Sequence, residues 1–420
     1  MRAVFLLGAN EKLSRAELES YFAARGVEFS ELESGPGRNP WLLAQTGDFQ
    51  PGISMLQLGG CVKIARVIDV LPADFVEWED ERISEQLEKI GIGKLAWDGW
   101  SDIRRVGVSV YSETEIDWDG IASTIGSAAA HQLKPLVGKP VSHITAASAH
   151  YRKGGGAFIP SELWSKFGGE HASEAVELNL FVGRKCYLAK TEAMHDPDAE
   201  QERGDALERP RGWRYGMRPR LAKILVNLSR AKEGDMLLDP FCGIGTILQE
   251  AMLNGINVIG RDIDPLATGC AARNAFRATG AYNVIYKMRP GMRMGRPRPS
   301  ADVKRGDARA LDLRDESVDA VATEPALGPS VTKRPSAEAA EAMVRKLDPL
   351  YEAAVGEIGR VLKPGRRAAV VLPLIRTASG ETGPDMKRIA ARAGLHFTKP
   401  IIEAGDWQVV QRAIWVLRKE

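Results

Sequence analysis

Acidic residues recur at the ends of short apolar segments in the second half of this 420-residue chain. One such run, Met236-Leu237-Leu238, leads straight into Asp239-Pro240-Phe241-Cys242-Gly243-Ile244-Gly245-Thr246, after which a helix is predicted. A glycine-rich turn between a strand and a helix lets a ligand come close to the backbone. The next run, Val258-Ile259-Gly260, is followed by Asp262, an acceptor suited to ribose hydroxyls. Asp264 either competes for that role or caps the following helix. After a third short strand comes Gly306-Asp307-Ala308, where a carboxylate can accept from an adenine amino group. Three strand ends would then offer ligands along one edge of a sheet, where open α/β sheets bind them. The spacing G-x-G-x-x-G is missing after Leu238 and there is no P-loop, which argues against NAD and ATP. A Rossmann-like domain for another nucleotide is the open alternative.

Those strand ends need a parallel, doubly wound sheet to hold them. A helix from about Pro219 to Arg230 opens the region, and β and α segments then alternate to the end. One insert interrupts the rhythm. Residues 287–300 carry Lys287, Arg289, Arg293, Arg296 and Arg298 with three prolines and no acid, and read as a mobile loop that contacts nucleic-acid backbone. Upstream, the pattern predicts compact α+β modules to about residue 190. A strand at Val4–Leu7 precedes a helix with Ser14 as N-cap and Glu17 closing a capping box. A loop near 35–40, a strand over Cys61–Val67, a helix over 81–95, a strand over Val106–Val110 and a helix over 119–134 follow. Residues 196–220 break the pattern, with Trp213 and Tyr215 among five arginines from Arg209 to Arg220. The expected division is an N-terminal α+β region at 1–190, a linker at 191–215 and an α/β domain at 216–420.

Bulk properties narrow the class. Hydrophobic residues make up 44% and charged residues 27%, as in ordinary globular proteins. Residues 1–200 hold 20 Lys+Arg against 29 Asp+Glu; since the chain totals 57 and 55, the remainder holds 37 against 26. The basic second half suits a polyanionic partner, and two domains that merely differ in surface charge are the alternative. The four cysteines show no C-x-x-C spacing, so neither zinc nor a disulfide framework is expected and the reducing cytosol is the default. No apolar stretch is long enough for a membrane span, and Ala3 to Leu7 is too short for a secretory signal.

The stretch D-P-F-C-G-I-G-T at 239–246 resembles the S-adenosylmethionine (SAM) motif of the THUMP-domain RNA guanine-N2 methyltransferases, closest to those acting on guanosine 10 of tRNA. Arg209-Pro210, Gly216-Met217-Arg218-Pro219-Arg220-Leu221-Ala222, Leu58-Gly59-Gly60-Cys61-Val62-Lys63-Ile64-Ala65 and the opening Phe5-Leu6-Leu7-Gly8 with Leu13 to Leu18 are similar to the same family. The resemblance implies a Rossmann-like seven-stranded methyltransferase domain behind a ferredoxin-like and THUMP-type region. It implies SAM held by Asp239, Phe241, Gly243, Gly245 and Thr246, with Asp262 on the ribose and Asp307 on the adenine. It implies tRNA as partner, a cytoplasmic enzyme, no metal and no membrane. Eukaryotic relatives use a small zinc-binding activator, which nothing in this sequence demands.

The target-base motif departs from that family. Val318 to Thr323 leads into Glu324-Pro325-Ala326-Leu327-Gly328, where relatives read Asp-Pro-Pro-Tyr-Gly. In the family the acid and the carbonyl after it hold the target amine, and the aromatic ring stacks on the extruded base. Glu324 and Pro325 are therefore the expected catalytic residues. Leu327 stands in the place of the ring, and Arg209, Trp213 and Tyr215 are expected to contact substrate. The expected reaction is N2-methylation of guanine in tRNA. A SAM- and RNA-binding protein without activity, or an amino methyltransferase on DNA or another base, are the alternatives. The basic, aromatic segment His150-Tyr151-Arg152-Lys153-Gly154-Gly155-Gly156 is either an RNA contact or a surface loop.

Overall fold

The computed structural model describes residues 1–35, 39–97, 103–113, 116–145, 175–211, 216–287, 298–329, 331–403, 405 and 408–420. The loop segment 150–156, Trp213, Tyr215 and most of the basic insert (288–297) lie outside them. The chain divides into two units. The first comprises Met1–Glu11, Val27–Leu56 and Cys61–Ala199; the second comprises Lys12–Gly26, Gln57–Gly60 and Glu200–Glu420.

The elements of the first half, in order, are β1 (Arg2–Leu7), α1 (Glu11–Arg25), β2 (Phe29–Gly35), β3 (Trp41–Thr46), α2 (Pro51–Gln57), β4 (Cys61–Leu71), α3 (Asp80–Ile90), α4 (Ile92–Ala96), β5 (Arg105–Tyr111), α5 (Trp118–Val137), β6 (Ser142–Thr145), β7 (Ala175–Val182) and β8 (Cys186–Met194). Among the described residues these eight strands join one sheet, ordered β2-β3-β1-β4-β8-β7-β5-β6. Along β5, Val106, Val108 and Val110 face a core with Ile83, Leu87, Ile125 and Leu133 of α3 and α5. That alternation is the period-two signal read from the sequence. Two local expectations fail. The helix at 81–95 is two helices separated by Gly91. Ser14 is no N-cap, because α1 already starts at Glu11 and Ser14 lies buried inside it. The Glu17 carboxylate instead accepts the backbone N–H groups of Gly59 and Gly60 at 2.8 and 2.6 Å and the Asn227 side-chain amide at 2.8 Å.

The second half continues with α6 (Pro197–Asp205), a helix within the segment read as linker, then α7 (Pro219–Leu228), β9 (Met236–Asp239), α8 (Thr246–Met252), β10 (Asn257–Asp262), α9 (Pro265–Lys287), β11 (Ala301–Arg305), β12 (Val318–Thr323), α10 (Ala337–Val361), β13 (Leu362–Arg376), β14 (Glu381–Thr382), α11 (Met386–Arg392), β15 (Leu395–Phe397), β16 (Ile401–Glu403) and β17 (Val410–Lys419). Seven strands form the path β11-β10-β9-β12-β13-β17-β15, and β14 and β16 pair beside it to make nine. The first five along the path are parallel, and β17 runs antiparallel to both neighbours. Leu237, Ala320, Ala322, Ala369 and Val371 point into one core with α7 and α8; Leu238, Val321, Val370 and Leu372 point into another with α10 and α11. Strands apolar on both faces are what a sheet covered by helices on both sides requires. Counted in chain order the path reads 3-2-1-4-5-7-6, so the chain reverses its direction of travel between β9 and β12. Ligands of doubly wound sheets bind at the carboxyl ends of the strands at such a reversal.

Candidate active site

A cavity of about 720 Å³ opens at that reversal. Asp239, the last residue of β9, is 2% exposed on its floor. Its Oδ1 accepts from the Phe241 N–H at 3.1 Å and the Thr323 hydroxyl at 2.7 Å, which ties β9 to β12 at the crevice. Burial pushes this carboxyl up to about 7 against those two hydrogen bonds, and the charges of Asp262 and Glu324 push in the same direction. The turn after it is held by Gly245, whose φ of 86° disfavours any side chain and whose backbone caps α8. Thr246 opens that helix and lines the cavity, as do Phe241 and Gly243. Gly245 itself is not on the wall.

Asp262 closes β10. Its Oδ2 accepts from the Gly243 N–H at 2.9 Å and its Oδ1 from the Asp264 N–H at 3.0 Å. Each oxygen keeps one further acceptor position toward the cavity it lines. Asp264 is placed differently. Its Oδ1 accepts from Leu266 and Ala267 N–H at 2.8 and 3.4 Å, so it caps α9, and it does not line the cavity. Asp307 lies on the wall beside Arg309, whose guanidinium reaches it at 2.6 Å and holds its carboxyl below the usual range.

The fourth acidic residue, Glu324, follows β12 with 17% of its side chain exposed. Its Oε1 accepts from Nε of Arg412 on β17 at 2.5 Å, across 88 positions of sequence. Burial works against the Arg412 charge, and Glu324 and Glu403 more than offset it, so the guanidinium is held above its ordinary value. Pro325 and Leu327 line the cavity next to Glu324. The loop between them is fixed from behind by Tyr351, whose buried hydroxyl donates to the Ala326 carbonyl at 2.6 Å. Asp239, Phe241, Gly243, Thr246, Asp262, Asp307, Glu324, Pro325 and Leu327 thus share one wall. Arg209 is exposed, donates to the Gly204 carbonyl at 2.6 Å and is not on that wall. Arg309, Tyr351 and Arg412 were missed by sequence reasoning. Nothing adjacent to Arg412 in the sequence marks it, because only closure of the sheet brings β17 to the crevice.

A mostly parallel sheet of this order, with acids at successive strand ends and a glycine-rich first turn, defines a Rossmann-like methyltransferase fold. The comparisons with known proteins agree. Residues 208–376 match the RMKL-like methyltransferase domain family (UPF0020). The chain is 26% identical over 337 residues to the tRNA (guanine(10)-N2)-dimethyltransferase of Methanothermobacter thermautotrophicus, covering 78% of each protein. It is 40% identical over 124 residues to the enzyme of the same name from Methanocaldococcus jannaschii, covering 28% of this chain and 30% of that one. The crystal structure of TrmN from Thermus thermophilus has the same fold, with a TM-score of 0.50 at 18% identity over all of both chains.

The cofactor of the domain is SAM, and the residues present fit it. Asp262 offers two acceptor positions for a pair of hydroxyls. Asp239 leaves Oδ2 without a hydrogen bond among the described residues, and the charges of Asp262 and Glu324 raise its pKa, which suits a cationic group.

Proposed function

We propose that this protein transfers a methyl group from SAM to the exocyclic N2 of guanine in tRNA, as the names of its relatives from Methanothermobacter thermautotrophicus and Methanocaldococcus jannaschii suggest. The single observation that carries the reading is that Glu324 and the acids of the cofactor site line one cavity. When bound, SAM supplies an electrophilic methyl on a sulfonium. The residues of the chain do the positioning. The carboxylate of Glu324 accepts a hydrogen bond from the target amine through Oε2, and the backbone carbonyl of Pro325 accepts another. Guanine N2 is a weak base, so orientation of its lone pair contributes more than proton abstraction. Tyr351 keeps the 324–327 loop from drifting through its bond to the Ala326 carbonyl. Leu327 gives an apolar wall where an aromatic ring would stack, a loss of about 1–3 kcal/mol if nothing replaces it.

The N-terminal α+β region is read as ferredoxin-like plus THUMP-type and as the part that grips tRNA. A cytoplasmic activity is part of this reading. Among the described residues, no helix is long and apolar enough to cross a membrane. The test is transfer of tritiated methyl from SAM to unmodified tRNA, with digestion to nucleosides and mass spectrometry. N2-methylated guanosine supports the proposal. Label in adenosine, in DNA only, or in nothing at all overturns it.

A further inference from the structure

Glu324 and Arg412 together present an acceptor and a donor to the same cavity. Arg412 spends Nε on Glu324 at 2.5 Å and Nη1 on Glu403 at 3.4 Å. Its Nη2 makes no hydrogen bond among the described residues, and the side chain, 27% exposed, lines the cavity. On the partner, Oε2 of Glu324 is likewise unspent among the described residues. The strands fix this arrangement. Arg412 sits on β17 opposite Pro373 of β13 on one side and Glu403 of β16 on the other. The guanidinium is therefore anchored at two of its nitrogens, with the third left over, beside a carboxylate anchored at one of its oxygens.

We infer that Arg412 is a specificity-determining residue that donates from Nη2 to O6 of the target guanine while Glu324 takes the N2 amine. The inference rests on the proposed reaction. The chemistry of the base supports it. Guanine carries donors at N2 and N1 and an acceptor at O6 along one edge, which complements a carboxylate placed next to a guanidinium. Adenine carries an amine where guanine has O6, so it would set N–H against N–H at Arg412. A site built to bond one polar group rejects the analogue that lacks it far more strongly than an apolar pocket does. The departure from the family's aspartate gains a reason as well. One further methylene in Glu324 lets the carboxylate meet Arg412 and still face the cavity, whereas an aspartate would stop short.

The test uses the full chain and two RNA substrates, one with guanosine at the target position and one with 2-aminopurine, which keeps the N2 amine and lacks O6. Wild type should methylate the guanosine substrate about 10- to 100-fold more efficiently in kcat/KM, the range for losing a hydrogen bond to a charged group. Arg412→Gln should lose activity on guanosine and bring the ratio of the two substrates to within about threefold, with SAM affinity checking that the cofactor site is intact. Should that variant fail to fold, Arg412→Lys serves, and a ratio between those of wild type and unity supports the inference. Equal rates of wild type on the two substrates overturn it while leaving the proposed reaction standing. An unchanged ratio in the Arg412 variants also overturns it, since a merely structural arginine would slow both substrates alike. If wild type methylates neither substrate, the proposed reaction falls first and the inference with it.

Discussion

Two ion pairs with the same 2.5 Å contact serve opposite ends in this molecule. In the first unit, Lys63 and Glu177 are 0% and 3% exposed on the face of the sheet. Every polar atom there is spent. Lys63 donates to Glu177, to the Tyr111 hydroxyl at 2.9 Å and to Asn179 at 3.3 Å, while Glu177 also accepts from Ser109 and Thr191. Burial works against the lysine's charge and Glu177 outweighs it, so Lys63 titrates above its ordinary value. In the second unit, Arg412 and Glu324 are 27% and 17% exposed and line the cavity, and each has a polar atom without a hydrogen bond among the described residues. A saturated pair specifies packing, whereas an unsaturated one keeps the capacity to bond a ligand. The presence of a buried or half-buried salt bridge therefore says little about function until its remaining donors and acceptors are counted.

The largest effect separates the two pairs by stability. Lys63→Met strands the Glu177 charge in the sheet and should cost about 3–5 kcal/mol, read as a lower denaturant midpoint, with most of it regained in Lys63→Met/Glu177→Leu. Arg412→Gln should shift the same midpoint by less than about 1 kcal/mol, because its partner faces an open cavity. Equal losses would mean that the pair at the crevice is structural as well. Next in size, Glu324→Asp should slow methyl transfer about 100-fold at unchanged SAM affinity, since the shorter carboxylate retreats from both Arg412 and the amine. A gain in rate would instead mark Glu324 as a decayed aspartate. The carboxylates of the cofactor edge divide in the same manner. Asp262→Ala should weaken SAM by about 1.5–3 kcal/mol in calorimetry, while Asp264→Ala should leave SAM affinity alone and cost about 1 kcal/mol of stability as a lost cap. A SAM defect in Asp264→Ala would remove that division.

How far the sequence revealed this depends on the range of the contact. The strand, glycine-rich turn and helix at the crevice were legible, because Asp239, Gly243, Gly245 and Thr246 lie within eight positions and a strand and a helix bracket them. The order of Asp262, Asp307 and Glu324 at successive strand ends was legible for the same reason, since parallel strands bring their carboxyl ends to one edge. Arg412 was not, because its partner is 88 positions away and the pairing exists only once β17 inserts antiparallel between β13 and β15. Glu17 misled local reasoning. Its spacing from Ser14 suits a capping box, yet its carboxylate bonds Gly59, Gly60 and Asn227. The contacts there are tight enough that a Cβ on Gly59 would stand 2.2 Å from the Arg220 carbonyl oxygen. Residues 12–26 and 57–60 thus belong to the second unit, and a fragment starting near residue 205 would lack both pieces.

Asp239 is a third kind of group, a buried carboxylate that lines the cavity. It is as buried as Glu177, but its charged neighbours are Asp262 and Glu324, and its pKa rises to about 7. The sign of the consequence follows directly. Below about pH 7 the carboxyl is mostly protonated and neutral; above it the charge appears. SAM carries an ammonium and a sulfonium, and a cation stabilises the ionised form. Affinity should therefore climb with pH toward about 7, by up to tenfold per unit, and level off above it. Bound cofactor should also release a fraction of a proton near pH 6.5, measurable as a buffer-dependent heat in calorimetry. Asp239→Asn should flatten the profile between about pH 5.5 and 7.5. A wild-type affinity that is flat over this interval would mean that Asp239 stays ionised through its bonds to Thr323 and Phe241. The pH dependence would then lie elsewhere, and the raised pKa would have no part in cofactor binding.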